Sequence, residues 1–320
     1  MDIKIGSLNC LNLSKYSNLK KDISLIARII IRERFDVVAL QEVKSGGLDT
    51  ILTSLNGGNK KGKWAGCADN NDYAFVWNTE HLTLPKAKLP NGQIRTSYPR
   101  VYNQYRRDPE LGRISFARPP FYGRFQTNYP GLPKVEIRLI NTHIRYSKGK
   151  DGEELAPTVG ELLLRKFEFQ ALTRCIYYYV SDKVYGKPEG ESSPMTAYTL
   201  LLGDYNMNLR ESGASSSFLD DLETVVISCG REGSRSKIIV TKQSELTTLK
   251  KAQDSEERSA QIFANNYDHF SYDTNRFNGT RQRITRVNTV EKYCHNDPQE
   301  HLKKVSDHTP IKMSLNIKKG

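Results

Sequence analysis

Short apolar runs in this chain keep ending on chemically active side chains. Five do so in order: Ser7-Leu8-Asn9-Cys10, Leu40-Gln41-Glu42-Val43, Ile140-Asn141-Thr142-His143-Ile144, Leu202-Gly203-Asp204-Tyr205-Asn206 and, at Ser306-Asp307-His308-Thr309-Pro310-Ile311, a polar group just ahead of the last run. Bounded apolar runs of this length read as β-strands. A strand that is apolar along its length and polar at its tip delivers its last side chains to the edge of a buried sheet. Carboxylates, amides and two histidines gathered from strand ends make an acidic site suited to cutting phosphate esters.

The remaining pattern fits layered α/β architecture. Residues 2–9 alternate as a strand, and residues 18–34 place Ile23, Ile26, Ala27 and Ile30 on one helical face. A buried strand follows at 35–40, a short helix at 48–55 stopped by Asn56-Gly57-Gly58, and a strand at 74–77. Residues 85–113 read as a long loop, 121–125 and 135–141 as strands, and 146–158 as a polar loop. Helical spacing over 159–182 puts Leu162, Leu163, Phe167, Leu172 and Ile176 on the core face. Strands are expected at 198–203, 267–272, 284–290 and 310–317, and residues 242–260 read as an exposed excursion rich in Lys, Gln, Ser and Glu. With no repeat and no linker, residues 1–320 are expected to form one domain of two β-layers with helices outside.

Composition narrows the setting. Apolar residues make up 37%, and no run approaches the ~20 apolar residues of a membrane-spanning helix. The start, Met1-Asp2-Ile3-Lys4-Ile5, enters a strand without the charged and apolar regions of a signal peptide, so an intracellular, cytoplasmic home is expected. Five scattered cysteines without a Cys-x-x-Cys pair argue against a zinc knuckle or a disulfide scaffold. A formal charge of +12 favours a polyanionic partner.

Each strand tip has its own chemistry. Glu42 offers the carboxylate that a hard cation such as Mg2+ wants, with Asp307 as a second ligand and Asn9 completing the metal set by positioning the carboxylates. Asp204 and Asn206, two residues apart after a glycine, share a side of the strand; the acid can orient a water and the amide can donate to a phosphate oxygen. His143 can hold a non-bridging oxygen as charge develops. His308 becomes an oriented base or donor if Asp268 hydrogen-bonds it.

In this order the fragments resemble the endonuclease/exonuclease/phosphatase superfamily, and most closely its deoxyribonuclease I-like branch, from Asn9 to His308. Gly-Asp-x-Asn and Ser-Asp-His-x-Pro carry the resemblance, and Phe35 to Val43 looks like the family's second strand. Phe116-Ala117-Arg118-Pro119-Pro120 looks like the nuclease branch, in which an arginine before a proline approaches the scissile phosphate. The resemblance implies a four-layer α/β sandwich of two packed mixed β-sheets flanked by helices. It also implies Mg2+-dependent phosphodiester hydrolysis, with Mn2+ or Ca2+ as alternative ions, leaving 5'-phosphate and 3'-hydroxyl. Lys44 stands where the secreted nucleases carry an arginine, and Asp72 and Asn71 are the candidates for the acid that pairs with the first histidine.

The segment 94–124 holds seven arginines, no lysine, and Tyr98, Tyr102, Tyr105 and Tyr122. Arginine forks grip phosphates and tyrosines stack on bases. Arg118, Lys44, Arg124 and Arg113 are the phosphate-binding candidates. The expected activity is a DNA endonuclease of low sequence preference. The alternatives are a phosphomonoesterase or phospholipase of the same superfamily acting on inositol phosphates or sphingomyelin, an RNA-cleaving relative, and a non-catalytic nucleic-acid-binding relative. Asn266-Tyr267-Asp268-His269, where the inositol phosphatases typically carry Trp-Cys-Asp-Arg, favours the nuclease.

Overall fold

Alternating residues give each strand two faces, so apolar layers form between the sheets and on their outer sides. The computed structural model describes residues 2–15, 21–59, 62–69, 71–88, 91–102, 116–130, 134–144, 159–185, 195–207, 238–240, 245–250 and 262–317. Along the first half run β1 (Asp2–Leu13), α1 (Ile23–Arg32), β2 (Val37–Val43), α2 (Gly47–Leu55), β3 (Trp64–Ala68) and β4 (Tyr73–Asn78). Next come β5 (Leu82–Thr83), β6 (Lys86–Lys88), β7 (Ile94–Thr96), β8 (Arg100–Val101), β9 (Phe121–Thr127) and β10 (Val135–His143). A long helix follows as α3 (Val159–Ala171), a π-helical turn (Leu172–Tyr177) and α4 (Tyr178–Asp182). The chain closes with β11 (Thr196–Asp204), β12 (Ile238–Val240), β13 (Asp268–Asp273), β14 (Thr280–Arg286), two short helices (Thr289–Tyr293, Pro298–Lys304) and β15 (Ile311–Ile317).

Among the described residues one large sheet has the order β14-β15-β1-β2-β4-β3 and the other β12-β13-β11-β10-β9-β5, with β8 also on β9, and β6 with β7 makes a small third sheet. Both large sheets are mixed. β1 runs parallel to β2 and β10 parallel to β11, while β15, β4, β9 and β13 pair antiparallel with their neighbours.

Ile5, Val37, Ala39, Phe75 and Met313 of the first sheet meet Phe121, Phe125, Leu139, Leu200 and Phe270 of the second in one buried cluster. On the far side of the first sheet Val38, Leu40, Ala74 and Val76 pack under Leu25, Ile26, Ile29 and Ile30 of α1 and Leu48 and Ile51 of α2. The outer face of the second sheet packs Ile140 and Leu201 under Phe169, Leu172, Ile176 and Tyr177 of the long helix. The four-layer α/β sandwich expected from the sequence is therefore present.

A pair of buried amides joins the two sheets across the apolar layer. Gln41 donates to Asn141 Oδ1 at 2.7 Å, and Asn141 donates to the carbonyls of Leu40 and Ala74 at 3.0 and 3.3 Å. Both side chains are fully buried. Because buried amides need partners, this pair fixes how the tips of β2 and β10 face each other.

Several local expectations are corrected. The 85–113 stretch carries β6, β7 and β8 in its described part, because alternate residues there find partners in one another and in β9. The long helix buries Phe169 fully while Phe167 is half-buried; Leu172 and Ile176 are buried as expected, and the side chains of Leu162 and Leu163 lie outside those described. The strand expected at 284–290 stops at Arg286, and Asn288 then caps a helix by accepting from Glu291 N. The 242–260 stretch is not a simple excursion: Thr247, Thr248 and Leu249 are buried, because bridges join Thr248 to His308 and Leu249 to Phe263. Residues 145–158, 241–244 and 251–261 lie outside the described residues, as does the polar loop expected at 146–158.

Candidate active site

Sheet register builds the site. His143 at the end of β10 pairs with Asp204 at the end of β11, and Asp204 pairs with Asp268 at the start of β13. Three reactive residues thus stand in a row across adjacent strands. The first sheet contributes Asn9, in register with Gln41, from β1 and Glu42 from β2. His308 arrives from the turn before β15.

Local backbone geometry aims these groups. Leu11, Asn12, Glu42 and Asn206 all have positive φ, at 48°, 55°, 57° and 50°. Such conformations cost non-glycine residues on the order of 1–3 kcal/mol each and cluster at functional sites. At Gly203 the requirement is absolute, because with φ at 141° an added Cβ would lie 1.9 Å from the Thr142 carbonyl oxygen on the neighbouring strand.

Asp204 is the hub. Its Oδ2 accepts from Asn9 Nδ2 at 3.0 Å and lies 3.7 Å from both His143 Nε2 and His308 Nε2, while its Oδ1 accepts from Asn206 N at 2.8 Å. Asn9 Nδ2 also donates to Glu42 Oε1 at 3.1 Å, and Glu42 lies 3.9 Å from His143 Nε2. Each imidazole is turned by a carboxylate on its other nitrogen: His143 Nδ1 is 3.0 Å from Asp72 Oδ2, and His308 Nδ1 is 2.8 Å from Asp268 Oδ2. Asn206 donates to the Ile144 carbonyl at 2.8 Å, which leaves its second amide hydrogen for other acceptors.

The charges follow from this packing. Burial disfavours a charged His308, yet the carboxylates of Asp268, Asp204 and Asp307 outweigh it and push the imidazole well above its ordinary range. Burial pushes the Asp204 carboxyl up, against the pull of His308 and His143. Burial also opposes ionisation of Asp72, but His143, Arg118 and Lys44 overcome it and hold that carboxyl below its usual value.

Two basic candidates stand on this same acid. Lys44 donates to Asp72 Oδ1 at 3.1 Å and to the Asn71 carbonyl at 2.6 Å, and Arg118 Nε lies 3.7 Å from Asp72 Oδ1. Arg118 Nη1 is buried and has no hydrogen-bond partner among the described residues. Arg124 is a correction. It makes a two-pronged pair with Glu136 at 2.9 and 2.6 Å, is only 11% exposed, and carries Tyr185 over its guanidinium. It belongs to the packed face of β9 and β10, where Arg138 holds the same carboxylate at 2.6 Å. Arg113 lies outside the described residues, as do Tyr105, Arg106 and Arg107; Tyr98 is 66% exposed and Arg95 and Arg100 are exposed.

The donor set suits a hard cation at Glu42. Its oxygens each accept one hydrogen bond, from Asn9 Nδ2 at 3.1 Å and from Asn12 N at 3.0 Å, so lone pairs remain on a carboxylate that is 16% exposed. Asp307 accepts from Ser306 Oγ at 3.2 Å, and the Lys21 ammonium feels both Asp307 and Glu42, so the two acids share one electrostatic neighbourhood. Asn9 is oriented as a strut: its amide nitrogen faces the two carboxylates and its oxygen accepts from Leu11 N at 2.9 Å. No group of three or more His, Cys, Asp or Glu side chains is arranged to hold a metal among the described residues. Glu42, with Asp307 in the same neighbourhood, offers the one or two carboxylates that an ion keeping most of its own waters takes.

Sequence reasoning missed three supports. Tyr73 OH accepts the His143 N–H at 2.9 Å, Arg165 donates to the Asn206 carbonyl at 2.9 Å, and Glu168 accepts from Ala117 N at 2.9 Å beside Arg118. The buried charges of the long helix, Arg165 and Glu168 three residues apart, were the available signal.

The two-sheet sandwich with flanking helices has the fold of endonuclease/exonuclease/phosphatase proteins, and the resemblance read from the sequence holds at the level of the fold. Among solved structures, an endonuclease/exonuclease/phosphatase from Bacteroides vulgatus aligns with TM-score 0.57 at 11% identity, over 99% of this chain and 100% of its own. D. rerio TDP2 humanized by 14 mutations aligns with TM-score 0.53 at 13% identity, over 98% and 99% of the two chains. D. rerio TDP2 complexed with single strand DNA product aligns with TM-score 0.52 at 11% identity, over 98% and 99%. No family model and no curated protein matches the sequence.

Proposed function

We propose that this protein is a metal-dependent phosphodiesterase, and specifically a DNA endonuclease of low sequence preference that leaves 5'-phosphate and 3'-hydroxyl ends. One observation carries the reading: Asp204 lies between two imidazoles at 3.7 Å each, and each imidazole is backed by its own carboxylate. Paired acid–imidazole units facing a shared carboxylate suit proton transfer around a charged phosphorus centre.

Asp204, its carboxyl raised by burial, orients the attacking water and takes its proton. His308, kept protonated by Asp268 and its neighbours, donates toward the phosphate oxygens. His143, turned by Asp72, holds a non-bridging oxygen, and Asn206 adds an amide donor beside it. Arg118 and Lys44 meet the phosphate charge on the Asp72 side. Mg2+ at Glu42, with Asp307 nearby, would neutralise phosphate charge and support the leaving oxygen. A formal charge of +12 and the exposed Arg95, Tyr98 and Arg100 fit a nucleic-acid strand, and the TDP2 structure with single strand DNA product is consistent with that substrate class.

Supercoiled plasmid tests this. Incubation with Mg2+ should give nicked circles, and EDTA should prevent it. Plasmid left intact across Mg2+, Mn2+ and Ca2+ would remove the nuclease reading.

A further inference from the structure

We propose that Thr247 is the positioning residue of the His308–Asp268 pair. This rests on the reading of that pair as part of the phosphodiesterase site. Asp268 and His308 come from separate parts of the chain, 40 residues apart, and meet at 2.8 Å. Something must fix both backbones at once, and the buried segment ahead of β13 does so.

Thr247 is fully buried and touches both sides of the pair. Its Oγ1 accepts the backbone N–H groups of Tyr267 and Asp268, each at 3.2 Å. Its carbonyl accepts the backbone N–H of Thr309 at 2.9 Å and the Thr309 hydroxyl at 3.2 Å. The side chain therefore holds the residue that carries the carboxylate, and the main chain holds the residue next to the imidazole. The flanking residues reinforce the same grip: Thr248 bridges to His308, and Leu249 N donates to the Asp307 carbonyl at 2.8 Å.

A side chain is needed at this position because of how the sheet edge is used. β12 pairs with β13 from Ser271 to Asp273. At the Asp268 end of β13 the backbone donor goes to a threonine hydroxyl instead. A hydroxyl has two lone pairs and can satisfy both N–H groups together. Valine has the same shape and no acceptor, so Thr247→Val takes the acceptor from the buried Asp268 N–H and from the part-buried Tyr267 N–H and releases the Asp268 backbone. Thr247→Ser keeps the oxygen.

The experiment compares Thr247→Val, Thr247→Ser and wild type by two readouts. The first is the low-field proton resonance of the His308 Nδ1–H···Asp268 hydrogen bond, assigned by its loss in His308→Asn. It reads geometry without turnover. The second is kcat and KM for cleavage of labelled duplex DNA. In Thr247→Val the resonance should move upfield or vanish, and kcat should fall by ~10- to ~100-fold with KM within about two-fold, as expected when a reacting group is displaced by an ångström or less. Thr247→Ser should restore both. If Thr247→Val does not fold, Thr309→Val, which removes only the hydroxyl donor into the Thr247 carbonyl, should show a smaller shift of the same resonance. A native resonance in whichever variant folds overturns the proposal, as does equal damage from valine and serine. A wild type without phosphodiesterase activity would defeat the functional reading alone, and the resonance would still decide the role of Thr247.

Discussion

Asp72 shows what a single residue adds. It orients His143 and at the same time anchors Lys44 and Arg118. Nothing in the local sequence ties it to a histidine 71 residues away, so it stood as one of two candidates. The strand tips were legible because each marks itself: an apolar run, then a reactive side chain. Arg124 was misread for the opposite reason. An arginine in an arginine-rich segment looks free until its cross-strand partner Glu136 is known. Two outcomes follow at this scale. Asp72→Asn should lower kcat by ~10-fold or more, with a smaller change in DNA affinity, measured by single-turnover cleavage and binding on the same duplex. Arg124→Met should leave cleavage per folded molecule unchanged and lower the melting temperature. Its cost should fall short of the ~3–5 kcal/mol of a fully orphaned buried charge, because Arg138 still holds Glu136.

At the scale of elements, β1 is legible from its alternation, and β2, β4, β9, β10, β11, β13 and β15 from short bounded apolar runs. The short helices near the end escaped, because a helix of Pro298–Lys304 depends on its Asp297 cap and on tertiary support more than on a periodic face. That helix has a pH signature. His301 lies buried between Thr289 Oγ1 and the Ser306 carbonyl, both at 2.7 Å, and Ser306 Oγ in turn donates to the Asn9 carbonyl at 2.7 Å. Burial lowers its pKa to about 4. The folded protein therefore keeps a neutral imidazole where the unfolded chain takes a proton, so the unfolded state binds more protons between about pH 6.5 and pH 4, and stability falls as pH drops through that window. The loss should approach roughly 3 kcal/mol. Urea midpoints at pH 7 and pH 4.5 should drop more steeply for wild type than for His301→Gln, and equal slopes would contradict this role.

For the molecule as a whole, the sandwich was visible in the order of strands and helices, while the meeting of its sheets was not. Gln41 and Asn141, which lock the two layers beneath the site, look in sequence like ordinary polar tips. The buried stretch at 247–249 was hidden because a polar, lysine-flanked sequence gives no sign that its threonines satisfy another strand's backbone. The net charge of +12 bears on partners rather than on folding. Binding to duplex or single-stranded DNA should weaken linearly with the logarithm of salt concentration, and Lys44→Ala and Arg118→Ala should each reduce the slope by about one. Unchanged slopes would mean that neither cation meets a phosphate.

The decisive comparison is cleavage of end-labelled duplex DNA by wild type and Asp204→Asn, with Mg2+ and with EDTA, followed by end-group analysis. Wild type with Mg2+ should release 5'-phosphate ends. Asp204→Asn should be slower by ~100-fold or more while binding the duplex within a few-fold of wild type. Cleavage that survives EDTA, or an Asp204→Asn protein as fast as wild type, would mean that the carboxylate between the two imidazoles is not where the phosphodiester is cut.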